Sequence, residues 1–327
     1  MRMEEGRRKP YFHVPIAGEK ALGQPPWHDR FDEWTGRLEL EVEVRSGYLH
    51  VGSGLLGLTP DGKAYSAFAS RDDRLVIPGT SIKGAVRSVV EAISRSCVSQ
   101  ARRDEEVPSR ATACNKAPRR NQVAIGTLCP ACRLFGTTSY RGRVFFTDAV
   151  ALGPVEPKPV KVGNLWPPRQ AAGDRKFYRV GVFHEDENAL QRDYRYVEAV
   201  PRGTRFLTTL VFESATTEEM GLLVRALGID THPQDQSSVG FVFLPKLGGA
   251  KPRCLGAVRF WPRRTGLRVL LAPSDRPGDL LRALYSGGQP RPLVPTLRAW
   301  LERDDLVDRK VWSECKEKAK ADAEPCP

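Results

Sequence analysis

Long hydrophobic runs are missing from this sequence, and methionine and histidine are scarce. No segment approaches the roughly 20 consecutive apolar residues of a membrane-spanning helix. Residues 1–10 are charged and lack the apolar region of a secretory signal, so we expect a cytoplasmic protein with no membrane partner. The composition, with 40% hydrophobic and 28% charged residues, predicts a globular protein rather than a disordered one.

Several enzyme motifs are absent as well. The sequence contains no Walker loop, no H-E-x-x-H pair of zinc ligands and no G-x-S-x-G nucleophile elbow. These absences make a metabolic enzyme the least favoured interpretation.

The sequence has fewer acidic than basic residues. The chain of 327 residues has 51 Lys and Arg against 39 Asp and Glu, which gives a net charge of +12. Between positions 101 and 205 there are 19 basic and 11 acidic residues, an excess of +8. This concentration of charge favours a polyanionic partner such as nucleic acid, although a general arginine bias of the proteome would also produce a basic chain.

The seven cysteines form an odd set, which argues against a disulfide framework. Cys97, Cys114, Cys129 and Cys132 fall in a stretch without helical or strand periodicity, and the last two form C-P-A-C. Four thiolates around zinc make the usual closed structural site, so we predict a structural Zn²⁺ site at these four residues. A redox C-x-x-C is expected at a helix start within a βαβ unit, a pattern absent here. Inert cysteines remain the other alternative.

Residues 75–87, L-V-I-P-G-T-S-I-K-G-A-V-R, predict a strand, a Pro-Gly turn and a helix that runs to about Arg95. We expect Thr80 or Ser81 to cap this helix. Backbone N–H groups, a hydroxyl and a cation would then lie together at the helix start, which is the chemistry of a phosphate site. A tight turn with an exposed lysine is the structural alternative.

Two further segments are basic. Residues 244–256 hold three glycines with Lys246, Lys251 and Arg253, and predict a flexible basic loop. Residues 151–203 interleave aromatic residues with arginines. Such interleaving suits base stacking with phosphate contact, but a solvated hairpin that buries its own aromatic residues is equally compatible.

The predicted core elements follow the order strand, helix, strand, strand, helix, strand, which is the split βαβ arrangement. Its first strand, 37–45, alternates apolar residues with glutamates, and its second helix begins with a capping box formed by Thr216 and Glu219. We expect an N-terminal arm at 1–36, a core at 37–272 with insertions at 97–140 and 151–203, and a C-terminal helical extension at 273–327.

Three segments resemble one protein family. They are I-P-G-T-S-I-K-G-A-V-R at 77–87, C-P-A-C-R-L-F-G followed by G-R-V-F-F-T-D-A within 129–149, and L-G-G-A-K-P-R-C-L-G at 247–256. Together they resemble the RAMP superfamily of CRISPR-associated proteins, especially the backbone subunits of type III effector complexes. R-K-F-Y at 175–178 is similar to a subgroup of that family.

The resemblance implies an α+β fold with a modified ferredoxin-like (RRM-like) core, a zinc-containing insertion at 97–140 and a thumb-like hairpin at 151–203. It implies a subunit that binds CRISPR RNA and complementary target RNA in a complex with other CRISPR-associated subunits. The residues expected to contact guide RNA are Gly79, Ser81, Lys83, Gly84, Arg87, Lys246, Gly248, Gly249, Lys251 and Arg253.

Several members of the family also cut target RNA with an aspartate in the loop that precedes the I-P-G strand. Asp61 is the candidate here, although Lys63 lies nearest to the expected position and P-D-G is also a favourable turn sequence. Cleavage would use the 2′-OH or a metal-assisted water, with Mg²⁺ as the possible ion. The alternatives to a guide-binding subunit are therefore a target-RNA endonuclease subunit and a free-standing zinc-containing RNA-binding protein.

Overall fold

The computed structural model describes residues 10–16, 18–99, 107–114, 126–165, 173–181, 183–185, 192–232, 239–275 and 277–318. Parts of the predicted arm, of both insertions and of the C-terminal extension lie outside these ranges. The described residues form a mixed α+β fold, as predicted. None of their helices is long and apolar enough to cross a bilayer.

The elements are defined by these bounds. The strands are β1 (Tyr11–Pro15), β2 (Trp34–Val44), β3 (Tyr48–Leu49), β4 (Gly52–Leu58), β5 (Ala64–Phe68), β6 (Ser70–Arg71), β7 (Arg74–Ile77), β8 (Gly136–Thr137), β9 (Tyr140–Arg141), β10 (Val144–Phe146), β11 (Ala149–Ala151), β12 (Lys158–Gly163), β13 (Asp174–Tyr178), β14 (Tyr194–Pro201), β15 (Arg205–Ala215), β16 (Ile229–Thr231), β17 (Val239–Phe241), β18 (Val258–Leu271) and β19 (Gln289–Pro290). The α-helices are α1 (Gly79–Ile93), α2 (Pro130–Phe135), α3 (Thr217–Ala226), α4 (Pro277–Tyr285), α5 (Leu293–Leu301) and α6 (Arg309–Lys318).

The main sheet has eight strands in the order β19-β18-β2-β15-β11-β7-β6, with β10 also paired to β15. Neighbouring strands in it are antiparallel, including β18 with β2 and β2 with β15. Strand β2 confirms the predicted alternation as far as Val42, because Leu38, Leu40 and Val42 are fully buried while Glu39 and Glu41 are only partly covered. Glu43, which the alternation places on the exposed face, is buried. Helices α1 and α3 pack against each other, and α1 also packs on β10.

A second sheet has five strands, with the order β12-β14-β5-β4 and β3 paired to β14. Strands β12 and β14 pair antiparallel within the predicted hairpin insertion, and β14 runs parallel to β5. Residues 52–57, G-S-G-L-L-G, have the glycine spacing of a dinucleotide-binding fingerprint, but they lie inside β4 and not at the start of a helix. They therefore offer no phosphate site of that type.

The start of α1 differs from the prediction. The helix begins at Gly79, its N-cap is Pro78, and no side chain caps it through its own turn. Instead, the Gly79 N–H donates to Asp148 Oδ1 over 2.9 Å. Neither Thr80 nor Ser81 is the cap, because the acceptor comes from the turn between β10 and β11. The predicted capping box of α3, by contrast, is confirmed.

Candidate metal centre and candidate cation sites

The four predicted cysteine ligands meet in space, with all four sulfur atoms within 4.8 Å of one another. The sulfur of Cys97 lies 3.4 Å from that of Cys132 and 3.6 Å from that of Cys129. Zinc–sulfur bonds of about 2.3 Å in a tetrahedron place sulfurs about 3.8 Å apart, whereas a disulfide needs about 2.05 Å. The group therefore fits one tetrahedral metal ion.

Local structure explains how these thiols converge. Cys129 is the N-cap of α2 and Cys132 lies in its first turn, so both sulfurs project from one helix end. The C-x-x-C thus does begin a helix, which corrects that part of the argument against a redox motif, although no βαβ unit surrounds it within the described residues. Cys97 approaches from the segment after α1, and Cys114 from the end of the range 107–114.

Backbone N–H groups point at the sulfur atoms. The N–H of Cys97 donates to Cys129 Sγ and the N–H of Cys129 donates to Cys114 Sγ, each over 3.4 Å. Hydrogen bonds from the neighbouring thiols, that of Cys114 first, lower the pKa of Cys129. The same mutual hydrogen bonds raise the pKa of Cys97 and of Cys132, so the metal-free group favours the anionic form at Cys129 and not at all four sulfurs.

The guanidinium group of Arg87 also faces this sulfur cluster. Its Nε donates to Glu91 over 2.8 Å, its Nη1 donates to the Gly136 carbonyl over 2.8 Å, and its Nη2 lies 3.5 Å from Cys132 Sγ. Glu91 accepts a second guanidinium, that of Arg175, over 2.9 Å. Arg87, predicted as a guide contact, therefore has its donors directed into the protein.

The α1 start is already occupied by a carboxylate. Asp148 accepts from the Gly79 N–H and pairs with Arg71 over 2.6 Å. A Cβ atom at position 79 would lie 2.0 Å from the Phe146 carbonyl oxygen, so glycine is required there by the close approach of another backbone. The Gly79 N–H is consequently not free for phosphate, and Ser81 is only partly exposed.

A cation cluster lies farther along α1. Lys83 Nζ and the Arg141 guanidinium each lie 4.8 Å from the centre of the Phe145 ring. Burial first, and then the charges of Arg87 and Arg141, lower the pKa of Lys83. The next residue of α1, Gly84, is exposed, and a Cβ atom there would meet nothing within 4 Å.

Arg141 and Phe145 were not identified from the sequence. No alternation in the sequence distinguishes Phe145, because Val144 and Phe146 are apolar too; the structure shows that those two are buried while Phe145 is only partly so. Lys83 and Arg141 thus both make cation–π contact with the ring of Phe145. We call Lys83, Arg141 and Phe145 the α1 cation cluster.

The second basic loop is tied to the end of β3. Gly248 has a φ of +71°, and a Cβ atom there would lie 2.0 Å from the His50 carbonyl oxygen. The Gly249 N–H donates to the same oxygen over 2.8 Å. Both glycines are therefore explained by the close packing of this loop against the His50 carbonyl group. Arg253 donates to the Asn164 carbonyl over 3.1 Å.

Lys246 and Lys251 lie close together at this loop. Lys246 is 8% exposed, and its Nζ has no hydrogen-bond partner among the described residues. Burial, and then the charge of Lys251, lower the pKa of Lys246 to about 7. Burial also lowers the pKa of Lys251. An anion that reached these two amines would relieve both effects.

Asp61 lies in the exposed turn between β4 and β5. Its carboxylate pairs with Lys63 and accepts from Thr59, and these hydrogen bonds, that of Lys63 first, lower its pKa. His50 is buried, and its Nδ1 lies 2.6 Å from the Glu198 carbonyl oxygen, so this nitrogen carries the proton. The two side chains perform local structural roles in the described residues.

The fold and its sites thus define an α+β protein with a cysteine group that can hold a metal ion and with one buried amine, that of Lys246, that has no hydrogen-bond partner among the described residues. A sequence model of the RAMP superfamily matches residues 41–244, which include the cysteine group and the α1 cation cluster. The chain therefore belongs to the RAMP superfamily. Members of this superfamily generally bind CRISPR RNA and work in multi-subunit complexes. No curated protein matches the sequence.

Proposed function

We propose that this RAMP protein is a guide-RNA-binding backbone subunit of a type III CRISPR effector ribonucleoprotein, where it helps to hold guide and target RNA. The observation that carries the proposal is the α1 cation cluster. No charged neighbour among the described residues favours the protonated form of Lys83, and its pKa is lowered by burial and by the charges of Arg87 and Arg141. Arg141 already pairs with Glu213 over 3.0 Å, so the charge that remains without an anion is that of Lys83, and a phosphate group would supply one.

The strand order supports a ferredoxin-like core within this fold. Counting β2, β10 with β11, β15 and β18 as the four core strands, the order across the sheet is fourth, first, third, second, and neighbours are antiparallel. Helix α1 follows the first of these strands and α3 follows the third. This is the split βαβ arrangement, which RNA-binding RRM domains also use.

The proposed RNA contacts come from two places. At α1 they are Lys83 and Arg141, with Ser81 at the edge and with the bare backbone at Gly84 allowing close approach. At the basic loop they are Lys246, Lys251 and Arg253, whose positions depend on the turns at Gly248 and Gly249. Gly79 contributes by letting α1 start against β10 and not by touching RNA.

The proposed cofactor is one structural Zn²⁺ ion held by Cys97, Cys114, Cys129 and Cys132. Its chemistry is to join segments that are distant in sequence, which four neutral thiols cannot do. The antiparallel pair β12 and β14 is the proposed thumb, and Lys161 lies 3.9 Å from the centre of the Tyr194 ring on it. An exposed aromatic residue beside a cation suits contact with RNA.

The RNA assignment is tested by substituting Lys83→Gln and Lys251→Gln separately, with Lys310→Gln on the exposed face of α6 as the matched control. Each of the first two variants should bind single-stranded RNA more weakly at every sequence and reduce the salt dependence of log K by about 0.7. The control should change neither quantity. Wild-type salt dependence in both lysine variants would contradict the assignment.

The endonuclease alternative rests on the accessible, ionised carboxylate of Asp61. The native complex, purified with its RNA, is incubated with a labelled complementary RNA in wild-type and Asp61→Asn forms. Bound repeat-derived RNA without Asp61-dependent cuts supports the guide-binding role alone. Periodic cuts that vanish in the variant would establish the nuclease, with Mg²⁺ addition testing its ion. Absence of any small RNA would favour a free-standing RNA-binding protein.

A further inference from the structure

We propose that Arg87 is a positioning residue of the metal centre, where it hydrogen-bonds the ligand sulfur of Cys132, and that it is not a contact to guide phosphate. This rests on the proposed metal site but not on RNA binding. The proposal changes the role that resemblance to the RAMP family implies for this arginine.

All three guanidinium nitrogens of Arg87 have a partner inside the protein. Nε donates to Glu91, Nη1 to the Gly136 carbonyl and Nη2 to Cys132 Sγ, and only 18% of the side chain is exposed. Recognition of phosphate by arginine uses two parallel N–H groups on one edge of the guanidinium. Both edges of Arg87 are already engaged inside the protein.

The charges around Arg87 point to an anionic sulfur group. Arg87 and Arg175 are both largely buried and share one carboxylate, that of Glu91, which is 5% exposed. Two buried cations with one anion leave a positive charge that is costly without a partner. Four neutral thiols do not offset it, whereas a divalent ion with four thiolates carries two net negative charges. The arginines therefore match the metal-bound state of the site.

Arg175 connects the hydrogen bonds of Arg87 to a second cysteine of the metal centre. Arg175 donates through Nη2 to the Cys97 carbonyl over 2.9 Å, and Glu91 connects it back to Arg87. Cys97 and Cys132 are thus held from outside by two arginines that meet at one glutamate. Partners of this kind orient metal ligands, and their loss typically lowers metal affinity by about 10–100-fold.

The test compares zinc affinity and RNA binding in the same full-length variants. Zinc affinity is measured by competition with a chromophoric chelator in wild type, Arg87→Gln and Lys83→Gln, two positions one turn apart on α1. We expect Arg87→Gln to lower zinc affinity by about 10–100-fold, and Lys83→Gln to leave it unchanged. In the zinc-loaded proteins, only Lys83→Gln should reduce the salt dependence of binding to a single-stranded RNA.

Arg87→Lys covers the case in which Arg87→Gln does not fold, because it retains the charge but loses the planar fork. In protein loaded with Co²⁺, this variant should shift the sulfur-to-cobalt charge-transfer band and weaken metal binding. Unchanged metal affinity in Arg87→Gln, or an unchanged band in Arg87→Lys, would overturn the proposal, as would wild-type protein that binds no metal. Failure of the wild type to bind RNA would reject the proposed function and leave the metal result to decide on Arg87.

Discussion

The buried side chain of Lys246 has a pKa near neutral pH. Its amine lies at the basic loop without a partner in the described part of the chain, and its pKa falls from 10.5 to about 7 because burial disfavours the charged form. Lys251, the nearest cation, adds to the effect. A polyanion bound at this position would stabilise the protonated amine and raise its pKa again.

This arrangement predicts a pH-dependent stability. Between pH 7 and 10.5 the folded protein holds Lys246 neutral while the unfolded chain keeps it protonated, so the unfolded state binds more protons and stability rises with pH. The slope due to Lys246 is at most about 1.4 kcal/mol per pH unit. In urea denaturation measured at several pH values, Lys246→Met should remove this slope, whereas Lys310→Met should leave it in place. Parallel pH profiles of wild type and Lys246→Met would disprove the assignment.

At the scale of one element, helix α1 makes four kinds of contact. Its start is fixed by Asp148 and by the contact of Gly79 with β10, its buried side contributes Val86 and Val90 to the core, and Arg87 joins it to the cysteine group. The remaining face holds Lys83 and Gly84. Lys83 lies one turn before Arg87, on the same side of α1, so the proposed RNA contact and the contact to the cysteine group are neighbours on this helix.

The two glycines of α1 should respond differently to alanine. Gly84→Ala adds a methyl group in open space and should stabilise the protein by up to about 1 kcal/mol, but it should weaken RNA binding if the RNA backbone approaches there. Gly79→Ala should destabilise it, since the added Cβ collides with the Phe146 carbonyl. Thermal unfolding and RNA titration of both variants separate the effects. A Gly84→Ala protein with full RNA affinity would remove Gly84 from the contact surface.

On the scale of the whole molecule, helices α5 and α6 contribute buried residues to the main core. Trp300 of α5 is fully buried, with its ring 5.3 Å from that of Trp34 and 5.8 Å from that of Phe212. Trp312 of α6 donates to Asp230 over 2.8 Å. The family match ends at residue 244, yet the sheet and helices that it covers are closed by residues beyond it.

Truncation after residue 272 should therefore abolish cooperative folding, because it uncovers the faces of β2 and α3 that these helices bury. Trp300→Ala in the full chain should cost about 3–5 kcal/mol, the usual penalty for removing a large buried aromatic side chain. Urea denaturation measures this loss. Tyr285→Ala provides the control, since Tyr285 is 92% exposed and should be nearly neutral. A truncated protein with a wild-type unfolding transition would contradict the prediction.

The sequence by itself determined the features that depend on neighbours along the chain. The alternation of β2, the capping box at Thr216, the helix after Pro78-Gly79 and the paired cysteines of C-P-A-C are all local patterns with a fixed period or spacing. It also carried the family resemblance, because the matching motifs are short and contiguous. Periodicity and spacing are sufficient for such features.

Only the tertiary structure decided which partner each polar group meets. Asp148 reaches the start of α1 across 69 residues, Arg87 reaches Cys132 across 45, and Lys83 meets Arg141 through Phe145. The burial of Lys246 likewise depends on chain segments far from it. Contacts between distant segments follow from how the sheet and helices pack, and no local pattern encodes them. For this reason the carboxylate of Asp148 lies at the α1 start, where a phosphate site was predicted, and the side chain of Arg87, predicted to contact RNA, is directed at Cys132.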